Sequence, residues 1–590
     1  MNKFKTLLAL FCVALLYFAF TQFSQKTDHS DLATQCRIRH EGPIMAQPSA
    51  QERQKFPEPN FKGGTLRFRI AAWPKNLNAV AHSDAYIALV WSLTSVSLLD
   101  THQDTLEDIP FLATSWQVSE DKKTYTFDLD PDATWADGKP ITSQDVVFTY
   151  ELMYDPKRCV FCEPTRSFTG PIETIKALGP HQVELKVKRL HFDNLARFSS
   201  LAILPKHLYN RCNFDKDFGK VIWGGGPYVY DYKESKLQKT FVLKRRKHYW
   251  ANKHKYQRER ANFDEIVIRN IDDETVAFEK FKRKELDFYY FDMGSYRFWD
   301  NKNMHPFTDP NVMRLEAEKY NPSSWSGIAL NQRQGILKDK NVRKALQYLL
   351  NRELIISKVF NNHLRPITGP FMQGSKYAYP AKPVSFDPKK ARELLKKAGF
   401  IKTEDDGILY RNVQENGKIV KQRMSVKIIF STDDHGQWLT IFKEDAQKAG
   451  VEIIPRLVEW SAALKLLDEF NYEGFAIGWT GSPVPAPEQL FHGRSADKKG
   501  SSNLPGLNNS RINKLIDLAP TEFDEAKRIK MYHEIEKLII DEQPYVFRWT
   551  DAKHSVAFWK DRLNPTQKPY MKFGGTHRRS PFYIHWRAKQ

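Results

Sequence analysis

The chain reads as an α/β protein built from more than one lobe, and three observations predict it. Its 590 residues exceed the roughly 250–300 that one hydrophobic core organises. Strand-like and helix-like hydrophobic periods alternate along most of the length, the arrangement that lays helices on sheets. The hydrophobic fraction is 41%, with 39 Phe, 24 Tyr and 14 Trp. That is enough apolar surface for large cores with aromatics left over, and it excludes disorder over most of the chain.

At the N-terminus, Lys3 and Lys5 precede an apolar run from Leu7 to Phe20, the build of a secretory signal. A clean cleavage site of small residues does not follow; Ala19-Phe20-Thr21 is the nearest approach. The run falls short of the ~20 residues of a spanning helix. Residues 1–24 are therefore expected to be a signal peptide or an uncleaved anchor, and the protein to be exported. Phe11 before Cys12 and Gln35 before Cys36 argue against a lipid-modified cysteine. Residues 25–60 are polar and carry Pro43, Pro48, Pro57 and Pro59, the composition of a linker. Four cysteines then remain, Cys36, Cys159, Cys162 and Cys212, allowing up to two disulfides in three connectivities. The Cys159-Val160-Phe161-Cys162 spacing reads first as a loop staple and second as a metal or redox motif, because it follows a Pro-Lys-Arg turn and has no second pair.

Order begins at Gly63-Gly64. Thr65–Ile70 alternates apolar and basic residues, the period-two pattern of a half-buried strand. Thr124 to Asp130 alternates again, and Asp137-Gly138-Lys139-Pro140 is a turn. Thr142 then opens a helix, with Asp145 placing negative charge on its first turn. The triplet Gly224-Gly225-Gly226 lacks the Gly-Lys-Ser/Thr ending of a phosphate loop and the order of a dinucleotide fingerprint. It reads as a tight backbone turn before strands at 228–232 and 240–245. A helix is expected from Asp339 to Lys358 on the spacing of Val342, Ala345, Leu346, Leu349 and Leu350. Another runs from the Asp387-Pro388 cap to Gly399. From 424 the pattern is strand, helix and strand (424–431, 438–448, 451–458). An amphipathic helix over 528–540 and a strand over 545–549 close it.

The residues that carry function resemble a known family. Pro110-Phe-Leu-Ala-Thr-Ser-Trp116, Asp121-Lys-Lys-Thr-Tyr-Thr-Phe127 and Trp135-Ala-Asp-Gly-Lys-Pro-Ile-Thr-Ser-Gln-Asp-Val146 resemble the signature of the family 5 extracellular solute-binding proteins, the peptide- and nickel-binding partners of ABC importers. Gly225-Gly-Pro-Tyr228, His248-Tyr-Trp250, Phe278-Glu-Lys-Phe281, Glu285-Leu-Asp287 and Asn341-Val-Arg-Lys-Ala345 extend the likeness, which covers about residues 61 to 560. Gly478-Trp479, Pro487-Glu-Gln489 and Gly500-Ser-Ser-Asn503 look most like the branch serving microcin C, peptide or muropeptide importers.

The resemblance implies the two-lobed periplasmic-binding-protein fold with an extra subdomain on the first lobe. Lobe I would hold 61–82, 223–305 and 545–590, the subdomain 83–222 and lobe II 306–544, with hinge crossings near 305 and 545. It implies a monomeric periplasmic protein that closes on a peptide or peptide-like ligand and hands it to the permease subunits of an ABC importer. Cofactor, metal, nucleic acid and catalysis have no part in it, and the membrane enters only through the permease or the N-terminal anchor. In peptide-binding relatives an Asp shortly after the Trp of this region pairs with the ligand's amino group. Here Trp479 would stack on ligand, Ser482 stands where that Asp would fall, and Glu488 is the nearest acidic replacement. Tyr228 and Asn503 are further ligand-contact candidates that could equally brace loops, and Asn78 and Tyr86 lie on the segment leaving the first strand.

Rival functions find less support. HExxH is absent, since His533-Glu-Ile-Glu-Lys537 lacks the second His, and so is a GxSxG elbow. The 17 His, including His248, His254 and His435, form no convincing ligand set for metal or haem. The formal charge of +20 comes from 90 basic against 70 acidic residues spread along the chain. It reads as a solubilising surface before a nucleic-acid or lipid footprint. If the excess lines the cleft, the ligand is anionic.

Overall fold

The period-two segments form strands where their side chains alternate. Thr65–Ile70 buries every second residue at the edge of a four-stranded sheet ordered Thr65–Ile70, Glu265–Asn270, Thr240–Arg245, Tyr228–Tyr230. Its pairing with Glu265–Asn270 is parallel, and the remaining pairs are antiparallel. The computed structural model describes residues 45–564 and 587–588, apart from 59–61, 75, 81–84, 103–106, 163–164, 167–168, 211–213, 215–217, 259, 293–294, 319–323, 416, 432–435, 483 and 552. The expected signal or anchor, Cys36 and Cys212 lie outside the described residues.

A second four-stranded sheet, antiparallel throughout, joins Ala113–Val118, Thr124–Leu129, Gln182–Val187 and Ile172–Gly179. Helix Ser143–Tyr154 lies in the chain between Thr124–Leu129 and Ile172–Gly179. The Asp145 carboxylate accepts the Thr142 N–H at 2.9 Å and the Lys206 N–H at 2.9 Å, so the acid placed on the first turn also ties down a later segment. The two sheets share one continuous apolar core running from Leu66 and Phe68 through Phe127 and Leu185 to Phe263. The Cys159 and Cys162 sulfurs are bonded to each other, the staple reading of that spacing.

Part of the expected linker is docked. Ser49 caps a helix over Ala50–Lys55, Phe56 is buried, and Glu58 pairs with Arg245 at 2.5 Å. Lys55 pairs with Asp132 at 2.5 Å and the Ala46 N–H donates to the Ala136 carbonyl at 2.9 Å, so several contacts hold this polar, proline-bearing segment against the first lobe.

The second lobe is organised on a five-stranded sheet ordered Glu452–Leu457, Ser425–Phe430, Gly474–Thr480, Ser324–Leu330, Tyr545–Phe547. One apolar cluster covers each face of it. Val342, Leu346, Trp438 and Phe442 belong to one, and Phe475, Tyr532, Ile535 and Tyr545 to the other. The helix expected over 339–358 is two, Lys340–Leu349 and Arg352–Lys358. Asn351 interrupts it by accepting the Leu354 N–H and capping the second helix. The Asp387-Pro388 start is as expected: the Asp387 side chain accepts the Lys390 N–H at 2.9 Å and Gly399 ends the helix at φ +86°.

Pairing also moves the lobe crossings. Tyr545–Phe547 pairs with Ser324–Leu330, and Trp549–Asp551 with Leu364–Pro366, so 545–551 belongs to the second lobe's sheets rather than to the first lobe. Val312–Glu318, expected in the second lobe, instead pairs along its whole length with Lys553–Trp559, beside Phe288–Phe291. The chain therefore passes from one lobe to the other after Glu318 and before Ser324, and back after Asp551 and before Lys553, and not near 305 and 545. Apolar runs on both sides of each crossing hide this boundary from a reading of periodicity alone.

The long helix Glu525–Glu542 buries one carboxylate. Glu536 accepts the N–H groups of Phe371 at 2.8 Å and Tyr379 at 2.6 Å, and burial pushes it from 4.5 up to about 7. The folded protein thus holds this proton more tightly than the unfolded chain does. Its contribution to stability is complete below the unfolded value of 4.5 and is lost as pH rises to about 7. Glu536→Gln is expected to remove about 2 kcal/mol of that loss. Denaturant midpoints compared at about pH 5 and about pH 8 check it, because matching pH slopes in both proteins would contradict the assignment.

Candidate functional site

Gly474–Thr480 runs parallel to Ser425–Phe430, so both strands point their carboxyl ends to one edge of the five-stranded sheet, where ligands of α/β sheets gather. Ser324–Leu330 starts at that same edge because it runs antiparallel to Gly474–Thr480, with Ser324 opposite Thr480 and Trp325 opposite Trp479. The two segments entering and leaving the lobe there are laced together. Ser326 Oγ donates to the Trp549 carbonyl at 2.7 Å, and Thr550 Oγ1 to the Ser324 carbonyl at 2.6 Å.

This edge opens onto a cavity of about 540 Å³. Its second-lobe wall includes Trp325, Trp479, Arg548, Trp549 and Asp551, while Asp292, directly after strand Phe288–Phe291, closes it from the first lobe. The Trp325 and Trp479 ring centroids are 6.5 Å apart, and Trp325 meets Tyr545 edge-on at 5.1 Å. Asp292 receives the Ser295 hydroxyl at 3.2 Å. Burial pushes the Arg548 guanidinium down to about 9. The cleft thus combines indole faces with carboxylates and a cation, the mixture that holds an amphipathic or zwitterionic molecule.

Next to the cleft the lobes touch. Tyr296 stacks on His363 at 3.8 Å with the rings nearly parallel. Asp300 bonds His363 Nε2 at 2.8 Å and Asn361 Nδ2 at 2.7 Å. A second contact lies elsewhere: the Phe192 N–H donates to the Pro520 carbonyl at 2.8 Å, and the Arg528 guanidinium sits 3.9 Å above the Phe192 ring.

Of the residues singled out from sequence, Trp479 is the one at the cleft. Asn78 is buried, with Nδ2 donating to the Phe214 carbonyl at 3.3 Å and Oδ1 accepting the Val80 N–H at 3.2 Å. Tyr86 sits on helix Ala85–Thr94 against the first-lobe core. The buried Tyr228 hydroxyl donates to the Phe263 carbonyl at 3.0 Å. Asn503 is fully buried and spends both ends of its amide on the His492 and Leu507 backbone, the brace alternative rather than a ligand contact. Ser482 is exposed beyond the end of its strand, and Glu488 pairs with Arg494 at 3.3 Å on the surface. Ser482 and Glu488 are not among the cleft-lining residues. The acids that do line it, Asp292 and Asp551, and the cation Arg548 escaped the sequence reading. The available signal was an apolar strand ending in a charge, Phe288-Tyr-Tyr-Phe-Asp292 and Tyr545-Val-Phe-Arg548.

Among the described residues no cluster of three or more His, Cys, Asp or Glu could hold a metal ion, and no helix is long and apolar enough to cross a membrane.

Comparison with known proteins places this architecture. The family described as bacterial extracellular solute-binding proteins, family 5 (middle) matches residues 108–501. The oligopeptide-binding protein AppA of Bacillus subtilis is 26% identical over 440 residues, covering 71% of this chain and 74% of AppA. The fold superposes on NikA from Brucella suis, solved in complex with Fe(III)-EDTA, with a TM-score of 0.74 at 20% identity, over 89% of this chain and 100% of NikA. It also superposes on the unliganded open form of the periplasmic murein tripeptide binding protein MppA, with a TM-score of 0.65 at 18% identity, over 90% and 98% of the two chains. The superpositions show a shared fold, the family match spans more than half of the chain, and the chain belongs to the family 5 bacterial extracellular solute-binding proteins.

Proposed function

We propose that the protein is the exported capture subunit of an ABC importer, closing its lobes on a peptide or peptide-like ligand and delivering it unchanged to a membrane permease. The observation that carries this reading is the cavity of about 540 Å³ at the edge where the chain crosses between lobes. A molecule held there touches both walls, Asp292 on one and Trp479 with Arg548 on the other, and so favours the closed form by the difference in its affinity for the two forms. Indole faces grip apolar side chains and peptide planes. The strand ends around the cavity suit an extended backbone laid beside them. In this reading the protein acts as a periplasmic monomer, and Asp292 and Asp551 take over the cationic-group contact expected of Glu488. A muropeptide-like ligand accords with the basic excess of the chain.

The test is native mass spectrometry of the protein isolated from its own source, followed by X-ray scattering before and after the retained molecule is stripped. The expected result is a noncovalent mass of a few hundred daltons and a larger radius of gyration once it is removed. Trp479→Ala is expected to lower retention by about tenfold, from one lost indole contact worth about 1.4 kcal/mol. A bare chain whose scattering is indifferent to a peptide mixture would overturn the reading. A metal chelate in place of a peptide would redirect it.

A further inference from the structure

We propose that Asp300, Asn361 and His363 form an interlobe lock that holds the two lobes together before any ligand arrives, so that the empty protein spends part of its time already closed. The lock is supplied by the chain itself, and none of its three residues lines the cavity.

The two sides belong to different lobes. Helix Tyr296–Asp300 comes after strand Phe288–Phe291, which pairs with Lys553–Trp559 in the first lobe. Asn361 and His363 precede Leu364–Pro366, which pairs with Trp549–Asp551 in the second. Each side is shaped by its own lobe. The Tyr296 N–H donates to the Asp292 carbonyl at 3.0 Å, and the Asn362 and His363 N–H groups donate to the Ile356 and Phe360 carbonyls at 3.0 and 2.8 Å. Asn361 and Asn362 hold left-handed backbone, at φ +46° and +62°, which asparagine tolerates better than most residues. From this turn two side chains reach one carboxylate. Asn361 Nδ2 donates to Asp300 Oδ2 at 2.7 Å, and His363 Nε2 donates to Oδ1 at 2.8 Å.

Asp300 does little for its own lobe. It ends a helix, where negative charge is unfavourable. Among the described residues its carboxylate has no hydrogen-bond or ion-pair partner on the first-lobe side, and both oxygens go to the second. Tyr296, one turn before it, stacks on His363 at 3.8 Å, and each of these two rings is only 6% exposed. Bonds of this geometry are lost once donor and acceptor part by about 1 Å, so a rotation that separates the lobes here breaks them and wets both rings. No ligand atom takes part. The lock therefore favours the closed form equally in the empty and the filled protein, raises the closed fraction of the empty one, and leaves the ligand less of the equilibrium to shift.

The experiment is X-ray scattering from purified full-length protein stripped of any retained molecule, so its outcome does not depend on what the cleft captures. Wild type is expected to fit a mixture of closed and open forms. Asp300→Ala should lower the closed-to-open ratio about tenfold, the effect of two charge-assisted bonds shared with water, and raise the radius of gyration. His363→Phe keeps a ring for the stack and loses one bond, so it should lower the ratio by less. Added to Asp300→Ala it should change little further, because that bond is already gone; such non-additivity marks a direct contact between lobes rather than two separate loosenings. Should Asp300→Ala fail to fold by circular dichroism, Asn361→Ala on the exposed turn takes its place, with a shift in the same direction expected. Scattering profiles that match wild type, or effects of the two substitutions that simply add, would overturn the proposal.

Discussion

Replacing Phe192 by alanine is expected to shift the protein toward an open form and to weaken ligand retention by roughly 100-fold. Phe192 lies between strand Gln182–Val187 and helix Asn194–Ser199, on the first-lobe side. Its ring packs into a socket of the second lobe made by Arg528, Tyr377 and Tyr532. The socket is organised without it: Arg528 Nε donates to the Tyr377 hydroxyl at 3.2 Å and Nη1 to the Glu522 carbonyl at 2.8 Å. Beside the plug, burial and the charges of Arg197 and Arg528 hold His191 down at about 3, so the contact stays neutral on that side at any physiological pH. Because these contacts exist only when the lobes meet, deleting the ring acts on the closure equilibrium rather than on either lobe's folding. A partly buried Phe→Ala change together with one cation–π contact amounts to about 3 kcal/mol, hence the roughly 100-fold figure. A larger radius of gyration in unliganded protein, with unchanged thermal stability of each lobe, is the expected signature. An unaltered scattering profile and affinity would show that Phe192 does not bear on closure.

The largest stability effect is expected at Gly226. The glycine triplet was expected to make a tight turn, but none of its three members is among the positive-φ glycines. What it supplies is close approach to the end of helix Ala85–Thr94. A Cβ on Gly226 would fall 2.5 Å from the Thr94 carbonyl carbon and 2.8 Å from Ser95 N and O, and one on Gly224 would fall 2.1 Å from the Thr94 carbonyl oxygen. The atoms in the way are backbone, which cannot rotate aside, and the Gly226 N–H is bonded to the Thr94 carbonyl at 2.9 Å. Gly226→Ala must therefore separate two packed segments of the first-lobe core, at a cost of about 4 kcal/mol, above the usual overpacking range. Gly179→Ala is the control, since a Cβ there meets nothing within 4 Å, and it should stay within about 1 kcal/mol of wild type. Thermal midpoints measured by calorimetry check both; equal midpoints for Gly226→Ala and wild type would contradict the packing argument.

What could be read from the chain beforehand follows a physical line. Thr65–Ile70, helix Pro388–Lys397 and the strand–helix–strand run from 425 to 457 are specified by contacts within a few residues: alternation, an Asp cap, a glycine stop. Such local rules, with the motif run from Pro110 to Val146, were sufficient for the α/β class, the family and the pairing of Cys159 with Cys162. The break at Asn351 was written as locally, but five apolar residues at helical spacing masked it.

The cleft was another matter. Trp479 was found because a motif marked it, while Tyr228 and Asn503 stayed open between ligand contact and loop brace and Asn78 was placed toward the cleft, because a buried polar residue bracing a loop looks in sequence like one reaching for a ligand. Asp292 lies more than 250 residues before Arg548 and Asp551 in the chain. They face one another only because Tyr545–Phe547 joins the second lobe's sheet and Val312–Glu318 joins the first lobe's strands. By itself, the amino-acid sequence determined the class of fold and the family, since both are set by periodicity and short-range motifs. Where the chain crosses between lobes, and therefore which charges share a cavity, was decided by long-range strand pairing, whose register depends on which distant apolar faces meet.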